Sequence, residues 1–455
     1  NQRNIQRGFN HPSIVFWSLG NEAGMGPNFE AAYNWIKNED PSRPVQYEQS
    51  QNRQNNVYGP GNFSDVFAPM YLGYEGAVRY CESKDYNKPL IQCEYAHAMG
   101  NSMGGFREYW ELIRKYPNYQ GGFIWDFVDQ SLRKINKDGI EIYAYGGDYN
   151  AYDASDNNFL ANGIINPDRG YNPHAYEVKY HHQNIWATPV DLSTGTITIY
   201  NEHFFTDLSG YYAEWQLLEN GKAIQSGQLT DLQVGPQETR SFKLDYDLAA
   251  ANNNAELLLN ISFRLRKAHQ LLPAGFEAAS AQMEIQPYVF SSLKVGKHCA
   301  KNVAPIVPEV KTNDYNYLRI FGEQFTIEFN RHNGQISKWM HKGVQMLEDK
   351  GVVQPNFWRT PTDNDYGANL QNHYGAWRNP RMHLDSMKHS IEEGGVVVVT
   401  THHTLRGVHA KLMSRYSIDP KGNVLYNQKM MANPDEKVSN LFRFGFRMQM
   451  PERFE

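Results

Sequence analysis

Two acids carry the chemistry that this chain could do. Glu22 follows the apolar run of "SIVFWSLGNEAGMG" (13–26), and Glu94 holds the corresponding place in "PLIQCEYAHAMGNS" (89–102). The first run is too short for a membrane span and too apolar for a half-exposed strand. It reads as a strand covered on both faces, as in a parallel sheet, with the acid at its C-terminal lip. Two carboxyl groups roughly 5 to 5.5 Å apart are the apparatus of a retaining glycosidase. One attacks the anomeric carbon while the other passes a proton to the leaving oxygen and later takes one from water. Like charges that close do not both ionise cheaply, so one is held protonated near neutral pH. A loop acid that caps the following helix is the alternative for Glu22.

The elements around the two acids alternate in the manner of a barrel. Phe29, Ala32, Tyr33 and Ile36 recur at helical spacing, the breaker "DPSRP" (40–44) follows, and a strand starts at Val45. Phe106, Tyr109, Trp110 and Ile113 form a second helical stripe, with Asn101 or Ser102 near its N-cap. Strands are expected at Ser13, Val45, Asp65, Leu90 and Gly122. Eight close a (β/α)8 barrel, so five at the start read as its second half, with chemistry at the strand ends where the loops converge.

Composition excludes several classes. The 455 residues suffice for two to four domains. A formal net charge of −5 gives no electrostatic footprint for nucleic acid or an anionic membrane. Cys81, Cys93 and Cys299 lack metal-ligand spacing and leave an odd thiol. No apolar stretch reaches transmembrane length and no leader peptide is visible, although Asn1 is not a methionine. The aromatic content of 13% suits sugar stacking and large cores alike.

Beyond the barrel segment, short alternating runs with Asn220-Gly221 as a hairpin signal fit a sandwich of immunoglobulin type. "VAPIVPEV" (303–310) reads as a linker. From Leu318 a larger antiparallel sandwich begins, with a turn at Asn333-Gly334 and a long strand in "VVVVTTHHTL" (396–405). The expected boundaries are 1–185 for the barrel half, 186–300 for the first sandwich, 301–315 for the linker and 316–455 for the last sandwich.

"WSLGNEAG", "DPSRPVQYE", "CEYAHAMGNS", "GGFIWDFVDQSL" and "YGGD", in this order, resemble the catalytic barrel of the large bacterial β-galactosidases, glycoside hydrolase family 2. "PNFWRTPTDNDYG" (355–367) resembles the start of that family's galactose-mutarotase-like sandwich. The resemblance implies a multidomain fold: a partial TIM barrel, an immunoglobulin-like sandwich and a large antiparallel sandwich. It implies Glu22 as acid/base, Glu94 as nucleophile, and Asn21 on the sugar 2-hydroxyl. Met70 and Tyr71 fall beside the nucleophile, with Tyr71 contacting it. His97 matches a sugar-binding histidine, and Trp125 an aromatic floor for galactose. Phe159, through its carbonyl, and Asn162 match a sodium site, and Glu22 also matches a magnesium ligand whose companions are absent. Asn162-Gly163 has a plainer explanation as turn chemistry.

The implied activity is hydrolysis of terminal β-D-galactose by double displacement, on a β-galactoside partner, with no nucleic acid and no membrane and with a homo-oligomeric parent enzyme. Little or no turnover is expected from these residues alone, because the first barrel strands are absent from them. A sister family 2 activity, such as β-glucuronidase or β-mannosidase, and a non-catalytic carbohydrate-binding module are the alternatives. The compartment stays open, with the unpaired cysteines leaning toward a cytoplasm and a periplasmic location as the other choice.

Overall fold

In the first part of the chain the strands that alternate with helices pair in parallel, while the hairpins between and after them are antiparallel. The structure, a computed structural model, describes residues 1–54, 57–252, 254–288, 306–349 and 351–454. It falls into two units, Asn1–Val289 and Phe290–Glu455. Cys299, the end of the expected first sandwich and the start of the expected linker lie outside the described residues.

The first unit opens with α1 (Gln2–Gly8), β1 (Trp17–Ser18), α2 (Pro27–Glu39) and β2 (Val45–Gln46). The hairpin β3 (Gln51–Gln54) and β4 (Val57–Pro60) leads to an extended stretch at 65–71, then to α3 (Tyr74–Glu82), β5 (Leu90–Tyr95), α4 (Phe106–Lys115) and β6 (Tyr119–Ile124). β1 pairs with β2, Trp17 opposite Val45, and β5 pairs with β6. The stretch at 65–71 links the two pairs: Asp65 N donates to Val45 O at 2.8 Å, and Phe67 and Met70 bridge in parallel to Leu90 and Glu94. Pro69 has no N–H to give, which limits this third strand to isolated bridges. Among the described residues the sheet does not close into a barrel.

Two local expectations need correction. The run before Glu22 is covered on one side only: Trp17 and Leu19 are buried, whereas Val15 is 63% and Phe16 37% exposed. β1 has β2 on one edge, and no other described strand covers it. The second helix is entered through Gly105, at φ 79°, and not through Asn101 or Ser102. A Cβ at Gly105 would fall 2.2 Å from the Tyr74 hydroxyl, which donates to the Gly105 carbonyl. The apolar stripes themselves pack as expected: Phe29, Ala32, Tyr33 and Ile36 lie against Trp17, Leu19, Val45 and Tyr47.

After β6 come the hairpin β7 (Leu132–Ile135) and β8 (Glu141–Ala144), then α5 (His174–His181). A β-sandwich completes the unit, from β9 (Ile185–Asp191), β10 (Thr196–Asn201), β11 (Tyr211–Glu219), β12 (Lys222–Leu229), β13 (Thr239–Lys243), β14 (Leu257–Leu265) and β15 (Glu277–Gln286). Its sheets run β13-β10-β9 and β12-β11-β14-β15 and share one core, including Ile197, Ile199, Trp215, Leu259 and Phe263. Asn220 and Gly221, at φ 46° and 80°, join β11 to β12 with Glu219 opposite Lys222, the two-residue hairpin expected. Arg114 of α4 fastens the barrel segment to the sandwich: it donates to both carboxylate oxygens of Glu202 and lies over the rings of Trp110 and Trp186.

The second unit is also a β-sandwich, with an antiparallel sheet of seven strands and one of four. Ile320, Ile327 and Phe329 from the first meet Val397, Val399 and Tyr416 from the second. Asn333 and Gly334 lie in a four-residue connection between Asn330 and Gln335, whose main chains bond at 2.9 Å.

Candidate active site

Four strand ends supply the site. β1 runs into the Gly20-Asn21-Glu22 turn, β2 into Tyr47-Glu48, the 65–71 stretch ends at Tyr71, and β5 contains Glu94. Glu22, Tyr71 and Ala96 have φ of 49°, 49° and 50°, left-handed values at non-glycine residues. Such conformations persist where surrounding contacts over-determine them, and here they collect at the ends of adjacent strands.

Contacts between neighbouring strands fix these turns. Gln92, buried in β5, accepts from Leu72 N at 2.7 Å and donates to the Tyr119 hydroxyl at 2.6 Å, so one amide ties the turn after Tyr71 to β6. Tyr71 N donates to Glu94 O at 2.8 Å, and the Tyr71 hydroxyl to Glu94 Oε2 at 3.0 Å. On the other side, Asp40 of the "DPSRP" breaker is buried and accepts from the Trp17 indole at 2.8 Å and from Arg43 at 2.7 Å. That breaker therefore anchors the strand that leads to Glu22.

The electrostatics act on Glu94, the carboxyl that the resemblance implies as nucleophile, whereas the crowding of like charges is expected from the sequence to raise the acid/base. Burial pushes its carboxyl proton affinity up, the Tyr71 hydroxyl pulls it back, and the nearby charges of Glu22 and Glu48 push it up again; the balance lies above the ordinary carboxyl value. Burial, with Glu48 and Glu94 alongside, raises the Cys93 thiol to about 12, which keeps it out of nucleophilic chemistry. Burial also lowers His97, so its imidazole is neutral near pH 7.

The remaining expected residues form a chain of contacts leading away from Glu94. The His97 ring meets Tyr71 edge-on at 6.1 Å and stacks on Phe159 at 5.6 Å. Phe159 O accepts from Asn162 Nδ2 at 2.7 Å, and Asn162 O accepts from Asp126 N, next to Trp125. Met70 bridges to Glu94. Trp125 is half-buried and joins through its carbonyl, which accepts from Ala98 N at 2.8 Å. Asn21 is exposed on the turn beside Glu22. Gly163 is not there for a hairpin turn: its Cβ would fall 2.1 Å from Asp129 N and 2.4 Å from Val128 C, so close backbone approach demands the glycine.

Sequence reasoning passed over Glu48. It is 3% exposed, and its Oε1 accepts from Glu22 N at 2.6 Å. The signal that marked Glu22 and Glu94, an acid after an apolar strand, marks Glu48 as well in "PVQYE".

Comparison with known proteins shows what the chain is similar to. Residues 1–187 match the family model described as glycosyl hydrolases family 2, TIM barrel domain. Residues 197–286 match β-galactosidase domain 4, and 321–455 match the β-galactosidase small chain. A β-galactosidase of Priestia megaterium is 32% identical over 452 residues, covering 99% of this chain and 42% of that protein. β-Galactosidases of Alteromonas mediterranea and Pseudoalteromonas haloplanktis are each 34% identical, over 80% of this chain and 35% of their own length. The chain thus spans less than half the length of the relatives it matches. Among the described residues, no helix is long and apolar enough to cross a membrane.

Proposed function

The chain belongs to glycoside hydrolase family 2, and on that premise we propose that it carries the catalytic pair of a retaining β-galactosidase. The observation that supports this most is the placement of Glu94: hydrogen-bonded to Tyr71, partly buried, and close enough to Glu22 to feel its charge. Glu94 attacks the anomeric carbon as the glycosidic C–O bond breaks, and Glu22 gives its proton to the departing oxygen. Water then surrenders a proton to Glu22 and attacks the same carbon, and the galactosyl ester bond to Glu94 breaks with net retention. Asn21 offers an amide to the sugar 2-hydroxyl, His97 and Met70 line the pocket, and Trp125 gives it an apolar wall. The Tyr71 hydroxyl stabilises the Glu94 carboxylate as it leaves.

Of the two metals that the resemblance implies, the residues suit one. Asn162 is 1% exposed with Oδ1 buried and unpartnered, while its amide nitrogen lies on Phe159 O. With the amide turned over, two oxygens would converge there, a donor set that suits a sodium ion. That ion would supply positive charge beside the sugar. For magnesium the donors do not suffice: among the described residues no three acidic, histidine or cysteine side chains converge, so no step is assigned to it.

These residues alone are expected to show little or no galactoside hydrolysis. Val15, Phe16 and Phe123 stand open on the outer strands, where a closed barrel would cover them and wall the pocket. Rapid release of nitrophenol from nitrophenyl β-galactoside by the 455 residues would refute this. A panel of nitrophenyl galactoside, glucuronide and mannoside, run on the complete translation product of the gene, tests the activity. Galactoside turnover that falls by orders of magnitude in Glu22→Gln and Glu94→Gln is expected, and preference for another sugar would overturn the assignment.

A further inference from the structure

Glu48 lies outside the two-acid scheme, yet it is the most deeply buried carboxylate at the strand ends, 3% exposed. β1 and β2 are paired in register, Ser18 opposite Gln46, so the turns that follow them are neighbours. Glu48 Oε1 accepts the Glu22 main-chain N–H at 2.6 Å, a short bond to a carboxyl oxygen. The preceding residue holds the other side of the same turn: Tyr47 is fully buried, stacked on Phe29 at 4.4 Å, and its hydroxyl donates to Gly24 O at 2.6 Å. Residues 22 and 24 are therefore each tied to the end of β2. Glu22 itself has a left-handed backbone, φ 49°, which a side-chain-bearing residue adopts only under constraint. Glu48 is in turn held from behind, its carbonyl accepting from Gln51 Nε2 at 2.6 Å.

We propose that Glu48 is a positioning residue: by holding the Glu22 amide it fixes the acid/base in its strained turn, without touching the sugar. The proposal rests on the reading of Glu22 as acid/base. A residue that positions the acid affects substrates according to how much their leaving group needs a proton. A residue that merely supports the fold slows all substrates alike.

The test compares Glu48→Leu, Glu48→Gln and Glu22→Gln in the complete translation product of the gene. The substrates are aryl galactosides with leaving groups from dinitrophenol to phenol. Glu48→Leu removes the acceptor and is expected to lose roughly 100-fold in kcat/KM on phenyl galactoside and under about tenfold on the dinitrophenyl substrate. Glu48→Gln keeps a carbonyl acceptor and is expected to stay within about fivefold on both. Equal losses on both substrates in Glu48→Leu, or equal damage from Gln and Leu, would overturn the proposal. If Glu48→Leu does not fold, the amide signal of Glu22 in ¹⁵N-glutamate-labelled Glu48→Gln decides. It is expected upfield of its wild-type position, and an unmoved signal would contradict the contact. The reading of Glu22 fails separately, if Glu22→Gln shows no leaving-group dependence.

Discussion

Tyr71 and Glu94 are joined twice, Tyr71 N donating to Glu94 O at 2.8 Å and the Tyr71 hydroxyl to Glu94 Oε2 at 3.0 Å. The main-chain bond sets the distance between the strand ends, and the hydroxyl stabilises the ionised acid. Without that donor, burial and the charges of Glu22 and Glu48 act on Glu94 unopposed. On the proposed role of Glu94 as nucleophile, which requires it ionised, the acidic limb of the kcat/KM profile in Tyr71→Phe is therefore expected at higher pH than in wild type. The loss near neutral pH should be about 10- to 100-fold, the worth of a hydrogen bond to a charged group. A limb that moves down or stays in place would contradict this account of Tyr71.

Replacing Asp40 should weaken the fold from a distance. Burial pushes this carboxyl up, yet the bonds from Ser42, Trp17 and Arg43 outweigh burial and hold it well below the ordinary range. Asp40→Ala leaves the buried Trp17 indole and the Arg43 guanidinium without their shared acceptor. The expected cost is about 3 kcal/mol by denaturant unfolding, with galactoside turnover falling as β1 loosens. Stability within about 0.5 kcal/mol of wild type would show that the breaker does not anchor the strand.

Gly163→Ala should be the most damaging single-methyl change near the site. The added carbon meets main-chain atoms of Val128 and Asp129 rather than the end of a flexible side chain. We expect about 3 kcal/mol of destabilisation, together with displacement of Asn162 from Phe159 O. An unchanged melting temperature would refute the close approach.

In the second unit, Arg359 holds Asp365 through two nitrogens and lowers its carboxyl to about 2, with Thr362 completing a capping box. A lowered carboxyl stabilises the fold above its unfolded value and loses that contribution as pH falls through the folded one. Asp365→Asn should cost about 2 kcal/mol at pH 7. The gap between variant and wild type should shrink below about pH 4 and close near pH 2. A gap independent of pH would contradict the pairing.

Much of this arrangement was legible in the residues. The apolar stripes of Phe29, Ala32, Tyr33 and Ile36 and of Phe106, Tyr109 and Trp110 became helices packed on the sheet. Asn220-Gly221 became its hairpin, because both residues tolerate positive φ. What sequence could not show is set by neighbours distant in the chain. The exposure of Val15 and Phe16 depends on which strands flank β1. The role of Gly163 depends on a main chain 34 residues away, and its Asn-Gly pair imitates a turn. Glu48 carries the same signal as Glu22 and Glu94, an acid after an apolar strand, but its role could not be read because its partner is a backbone N–H, which no residue type announces.

The central claim is that Glu94 forms the covalent bond to the sugar while Glu22 moves the proton. A 2-fluoro β-galactoside with a good leaving group, incubated with the complete translation product and followed by peptide mass mapping, tests it most directly. The account predicts one added 2-fluorogalactosyl group, located on Glu94 and missing in Glu94→Gln. An ester on Glu22 or Glu48, or turnover that continues with no ester formed at all, would contradict it.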